Sequence, residues 1–127
     1  MVARLVPLYG PDRCELLRRY MKALPCLPGA PGRFMNYLHR DDAVSALLVL
    51  ATQSWLSHGV YNVSGENFTK AAIYSLFESL FHIGLASEAS APSQRGVSDM
   101  RVCCTRLHQL GWQPRHNMLA FAREWKG

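Results

Sequence analysis

His39 stands directly before Arg40, Asp41 and Asp42, so an imidazole and two carboxylates fall within four consecutive residues. Carboxylates so placed can act as general acid, general base or metal ligand, and an imidazole with a reference pKa of about 6.5 can shuttle protons near neutrality. The spacing argues against a paired-carboxylate centre, because adjacent helical residues project about 100° apart and do not face each other across one substrate. Asp41 and Asp42 are instead expected to open a helix, capping its N–H groups and offsetting its dipole. His39 is expected to be hydrogen-bonded at the end of a buried strand.

Arg33, Arg95, Arg101 and Arg106 are candidates for holding phosphate, which a guanidinium grips in bidentate fashion. Arg101 and Arg106 read as isolated charges on a solvated helix face. Cys14, Cys26, Cys103 and Cys104 show no Cys-x-x-Cys spacing, and the adjacent Cys103-Cys104 pair is poorly arranged to share a metal with His108. The cysteines are therefore expected to be reduced, buried small side chains, and no metal site is expected. The chain has no P-loop, Gly-x-Gly-x-x-Gly, His-Glu-x-x-His or Gly-x-Ser-x-Gly motif.

Short strands alternating with helices must position these groups, which predicts an α/β fold with about five helices. Val2 to Pro7 predicts a strand, followed by a Tyr9-Gly10-Pro11-Asp12 turn and a helix from Arg13 to about Ala23 capped by Asp12. Residues 24–33, rich in proline and glycine, read as a loop. Phe34 to His39 is expected to be extended. The helix from Ala43 to about Thr52 is apolar nearly all round, from Val44 through Leu47, Leu48 and Leu50, and is expected to be buried on most sides.

Gly59 to Val63 predicts a strand and Ser64-Gly65-Glu66-Asn67 a turn. Ile73, Leu76, Phe77, Leu80 and Phe81 then mark the clearest amphipathic helix, from Thr69 to about His82. Residues 84–96 read as a loop. Ser98 is expected to cap a helix with Val102, Cys103 and Leu107 inward, stopped by Gly111, and a last helix is expected from about Asn117 to Trp125.

The 127 residues suffice for one modest domain. A hydrophobic fraction of 49% with 18% charged residues excludes a disordered tail, a coiled coil or a collagen-like fibre. The formal charge of +5 permits weak attraction to anions, and a nucleic-acid-binding reading would rest on that charge alone, since no strand alternates aromatic and basic residues. Met1 to Pro11 lacks an apolar signal core and only Ala46 to Ala51 is continuously apolar, so a cytoplasmic location without a membrane span is expected.

Four segments in order resemble a known family. Arg4-Leu5-Val6-Pro7-Leu8-Tyr9-Gly10-Pro11 resembles a strand-and-turn segment of the pattern Arg-Leu-x-x-x-Tyr-Gly-Pro. Asn36-Tyr37-Leu38-His39-Arg40-Asp41-Asp42-Ala43 resembles an Ile-His-Val-Asp-Asp-Ala helix opening, and Gly59-Val60-Tyr61-Asn62-Val63-Ser64 a Tyr-Asn-Val strand. Val97-Ser98 through Leu110-Gly111-Trp112-Gln113-Pro114 resembles a closing stretch that ends Leu-Gly-Trp-x-Pro. Across nearly its whole length the chain thus resembles the C-terminal part of the NAD(P)-dependent epimerase/dehydratase family, the extended and atypical short-chain dehydrogenases/reductases.

The resemblance implies a single substrate-binding lobe over residues 1–127 plus the last strands of a Rossmann-type fold. It implies NAD or NADP as cofactor, met by Tyr9, Gly10 and Pro11, and a small-molecule substrate such as a sugar or nucleotide sugar met by Arg33, Asn36, His39 and Arg95. Asp42 would be a structural cap, and Met35 stands where nucleotide-sugar epimerases commonly carry arginine. In the family the glycine-rich cofactor loop and the catalytic Ser, Tyr and Lys precede the Tyr-Gly-Pro turn. Here no tyrosine has a lysine four residues later: after Tyr9, Tyr20, Tyr37, Tyr61 and Tyr74 stand Arg13, Leu24, Asp41, Gly65 and Glu78.

No catalytic residue is therefore assigned. The chain is expected to be inactive alone and to need the N-terminal half, or self-association, to cover its apolar surface. The alternatives are a non-enzymatic binding or regulatory module derived from that family, and a small basic nucleic-acid binder.

Overall fold

The computed structural model describes residues 1–22, 32–53, 59–81 and 100–125. In chain order these form β1 (Val2–Leu5), β2 (Leu8–Tyr9), α1 (Glu15–Met21), β3 (Phe34–His39), α2 (Arg40–Ala51), β4 (Val60–Val63), β5 (Glu66–Thr69), α3 (Lys70–Phe81), α4 (Thr105–Gln109) and α5 (Met118–Arg123). The described residues thus make an α/β fold with five helices and short strands, as the alternating pattern predicts. Cys26, Arg95, Ser98, the 84–96 loop and most of the 24–33 loop lie outside the described residues.

β1 and β4 pair in parallel, Val2 opposite Val60 and Leu5 opposite Val63. Alternation along β4 sends Tyr61 and Val63 into a core with Leu38, Ala46, Leu50, Leu107 and Trp112, and leaves Val60 and Asn62 outward. The Trp112 indole N–H is satisfied by Ser45 Oγ of α2 at 2.9 Å, which fixes the segment after α4 against α2.

β3 is the central strand of a second, mixed sheet, parallel to β2 and antiparallel to β5. Because its side chains alternate, Leu38 enters the core just described while Met35 enters another built from Leu17, Tyr20, Ile73, Phe77 and Met118. The amphipathic stripe of α3 supplies Ile73 and Phe77 to this second core, both fully buried.

Several local expectations are corrected. Asp12 does not cap α1: it lies in the left-handed region at φ 67°, inside a turn closed by reciprocal Gly10 and Arg13 backbone hydrogen bonds of 3.0 Å. A capping residue needs extended backbone, and Cys14 takes the N-cap position without a side-chain bond. The expected turn at 64–67 is shorter, because Glu66 already opens β5. Gly65 makes the crossing. Its N–H donates to Tyr37 O at 3.1 Å, and a Cβ there would stand 2.9 Å from that same carbonyl oxygen. Gly65→Ala is therefore expected to destabilise the fold by about 2 kcal/mol, read from its urea midpoint; an unchanged midpoint would show that the crossing relaxes freely.

The α4 expectation also shifts. Asn36 of β3 donates through Nδ2 to Met100 O (2.6 Å) and accepts at Oδ1 from Val102 N (2.9 Å), committing those backbone groups to a neighbour rather than to a helix. The helix starts only at Thr105, leaving Val102 half-buried and Cys103 exposed; Leu107 is buried as expected. Gly111 does terminate this region with φ 93°, and Asn117 caps α5 by accepting from Ala120 N at 2.8 Å. Finally, α2 is not buried on most sides. Ala43, Ala46 and Leu50 face the core, but Val44 (52%), Leu47 (44%) and Leu48 (61%) are exposed.

Candidate functional site

The β2–β3 register places Tyr9 opposite His39, at the edge where the chain leaves β3 and enters α2. There His39 itself is the N-cap: its Nδ1 accepts from Asp41 N at 3.0 Å. The ring is buried, and burial, with the nearby His116, lowers its pKa below the usual imidazole range. It is therefore neutral near pH 7, and since Nδ1 accepts, the proton resides on Nε2. Tyr9 meets the His39 ring edge-on with centroids 5.2 Å apart. His116 stacks on its face at 3.9 Å and 10°.

Asp42 is not the cap expected of it. Its buried carboxylate turns to the C-terminal segment and accepts from Arg115 N, His116 N and His116 Nδ1, each at 3.0 Å. Burial alone would raise its pKa, but these hydrogen bonds prevail and hold the carboxyl below its ordinary value. Glu66 of β5 adds a second tie, accepting from Met118 N at 2.6 Å, while burial pushes its own pKa up. Two carboxylates from different elements thus bind three backbone N–H groups between residues 115 and 118.

A cavity of about 610 Å³ opens beside this junction, lined by Pro11, Asp12, His39, Asp41, His116, Phe121, Glu124 and Trp125 among others. A second hollow of about 520 Å³ lies against Leu8, Tyr9, Gly10 and Pro11, with Arg13 and Arg40 at its side. The structure therefore brings Tyr9, Gly10, Pro11 and His39 together. Asn36 is apart from them: it occupies the opposite face of β3 from His39, and its amide is used on Met100 and Val102. Arg33 lies before β3, its carbonyl accepting from Lys70 N at 2.9 Å. Arg106 is not a free surface charge, since it donates to Val60 O at 2.8 Å and lies over the Tyr61 ring at 4.5 Å.

The tyrosines near the site are poor proton donors. Burial raises the pKa of Tyr9 and pushes Tyr37 up to about 12, the reverse of what an acid–base tyrosine requires. Cys104 is likewise internally committed: its thiol lies 3.1 Å from His108 Nε2, and His108 Nδ1 donates to Trp112 O at 2.9 Å.

Sequence reasoning overlooked His116, which follows the Leu-Gly-Trp-x-Pro stretch by two residues, and Glu66. Their partners are 74 and 52 residues away along the chain, so no local pattern marks them.

The fold matches part of the Rossmann-like epimerase and dehydratase structures. The chain is similar to UDP-glucose 4-epimerase of Thermotoga maritima, solved with UDP-glucose, at 19% identity and TM-score 0.70 over 96% of this chain and 43% of that one. It is similar to dTDP-glucose 4,6-dehydratase of Bacillus anthracis, solved with NAD, at 18% identity and TM-score 0.71 over 97% and 42%. UDP-glucose 4-epimerase of Thermus thermophilus, solved with NAD, gives 24% and 0.66 over 95% and 43%. The chain thus spans about two fifths of the length of these proteins. No family model and no curated protein matches it. Among the described residues no helix is long and apolar enough to cross a membrane.

Proposed function

We propose that the chain is the substrate-side lobe of an NAD(P)-dependent sugar epimerase/dehydratase-like protein, and that it acts on a sugar or nucleotide sugar in the cytoplasm only together with a nucleotide-binding half. The observation that carries this reading is the two-stranded parallel sheet β1–β4, whose outer face exposes Val2 and Val60. Parallel sheets are stable when helices cover both faces and further strands extend them, and the described residues cover one face only. A fold shared with about two fifths of longer dinucleotide-dependent proteins supports the same conclusion.

The residues present fit one side of such a cofactor. The Leu8–Pro11 segment with Arg13 and Arg40 borders an open hollow that can receive a nicotinamide or phosphate edge, while no glycine-rich strand-to-helix turn occurs in the sequence to hold the dinucleotide. When bound, NAD or NADP supplies hydride transfer. Tyr9, Gly10 and Pro11 would bound its reactive end, and His39 would present Nε2–H to a substrate hydroxyl or carbonyl. Arg33, Asn36 and Arg95 remain the further substrate-side assignments, Asn36 by holding the 100–102 segment in place.

The chain incubated with NAD or NADP and UDP-glucose is expected to give no change in cofactor absorbance. Addition of an epimerase half carrying the glycine-rich βαβ unit and the Tyr-x-x-x-Lys helix is expected to form a complex that binds cofactor. Turnover by the chain alone, or failure of any such half to associate, would overturn the reading.

A further inference from the structure

We propose that His39, Asp41 and His116 form a binding site for a divalent transition-metal ion such as Zn²⁺, at the wall of the 610 Å³ cavity. Each offers one ligand atom, and these atoms all lie within 4.8 Å of one another. Neither the family resemblance nor the proposed function requires a metal, so the inference stands apart from both.

Three features make this set suitable. His116 is already oriented as metal-bound histidines are, with Nδ1–H donated to the buried Asp42 carboxylate at 3.0 Å, which leaves the lone pair on Nε2. His39 and Asp41 flank the first turn of α2 so that Nδ1 and Oδ2 stand 4.0 Å apart. Glu124 and Asp12 line the same cavity and, with Asp41, outweigh the positive charge of Arg115 there, while Asp41 would exchange its 3.4 Å contact with Arg40 for the ion.

Bonds of about 2.0–2.1 Å to a tetrahedral ion place ligand atoms about 3.4 Å apart, so the set must contract. The capacity to contract is unevenly distributed in a useful way. His39 is held by the core, whereas Asp41 and His116 have side chains 55% and 41% exposed and can close onto it. The two imidazoles now lie parallel, so His116 must tilt for its lone pair to converge on the ion. Coordination at His39 Nδ1 would exchange the helix-capping hydrogen bond for a metal bond. Two nitrogens and one carboxylate favour Zn²⁺, Co²⁺ or Ni²⁺ over Mg²⁺ and Ca²⁺, which prefer all-oxygen shells. Three protein ligands leave a position open to water or to a molecule in the cavity.

Calorimetric titration of the untagged, metal-stripped chain with Zn²⁺ tests the site, with Co²⁺ absorption spectra reporting its geometry. One ion per chain is expected, with nitrogen-ligated Co²⁺ bands, and affinity reduced at least about tenfold by Asp41→Asn and by His116→Gln. His108→Gln is expected to leave binding unchanged, which separates this site from the Cys104–His108 pair. Asp41→Asn decides the matter if His116→Gln perturbs folding, because the exposed Asp41 side chain is not part of the core. Absence of Zn²⁺ uptake, or uptake unaffected by Asp41→Asn, overturns the proposal.

Discussion

Asp42→Ala is expected to lower folding stability by about 3 kcal/mol, as read from urea unfolding near neutral pH. The carboxylate is 2% exposed and takes two backbone N–H groups and one imidazole N–H from the segment after Trp112. Removing the acceptor leaves those donors unpaired in a partly buried place, and each such orphan costs about 1–3 kcal/mol when water cannot reach it. Partial exposure of His116 moderates the sum. Asp42→Asn is expected to recover only part of the loss, since its amide oxygen can accept but its NH₂ faces a donor.

The pH dependence follows from the lowered pKa of the Asp42 carboxyl. A carboxyl held lower in the folded than in the unfolded chain stabilises the fold fully above the unfolded value of about 3.9, and that contribution is lost as pH falls through the folded pKa. Parent and Asp42→Asn are therefore expected to converge in stability on acidification below about pH 4. A loss under about 1 kcal/mol for Asp42→Ala near neutrality would show that the 115–118 segment is held by other contacts.

The second large effect concerns association. In isolation the chain is expected to self-associate with increasing concentration, because Val44, Leu47 and Leu48 form an i, i+3, i+4 stripe on α2 and, among the described residues, the outer face of β1–β4 exposes Val2 and Val60. Val44→Lys with Leu48→Lys is expected to weaken that association by about tenfold or more, since burying each such side chain contributes about 1.5–3 kcal/mol. Folding stability should change little, because neither side chain is in the core. Sedimentation velocity over a concentration series distinguishes the cases. A parent chain that stays monomeric throughout would sink the expectation and favour the reading of a self-sufficient binding or regulatory module.

Much of the fold is legible locally. The three- and four-residue recurrence of Ile73, Leu76, Phe77, Leu80 and Phe81 produces α3, the extended Phe34 to His39 produces β3, Gly111 stops the segment after α4, and Asn117 caps α5. Each depends on the conformational preference of one residue or on the period of one element. Apolar content on α2 is a poorer guide: Val44, Leu47 and Leu48 resemble Ala46 and Leu50 in being apolar, yet of these five only Ala46 and Leu50 meet a core. Which side of an all-apolar helix is covered depends on what lies beside it.

By itself, then, the amino-acid sequence determined the alternating elements, the Tyr9–Pro11 turn region, the position of His39 at the end of a strand, and the resemblance carried by four ordered motifs. The tertiary structure alone decided what the carboxylates and histidines at that junction do. Asp42 leaves the cap to His39 and binds the backbone at Arg115 and His116, more than seventy residues away, and His116 comes to rest on the His39 ring. Side-chain partners at that separation are chosen by how α2, β5 and the C-terminal segment pack. Residue type and spacing state only which bonds are chemically available; packing selects those that form.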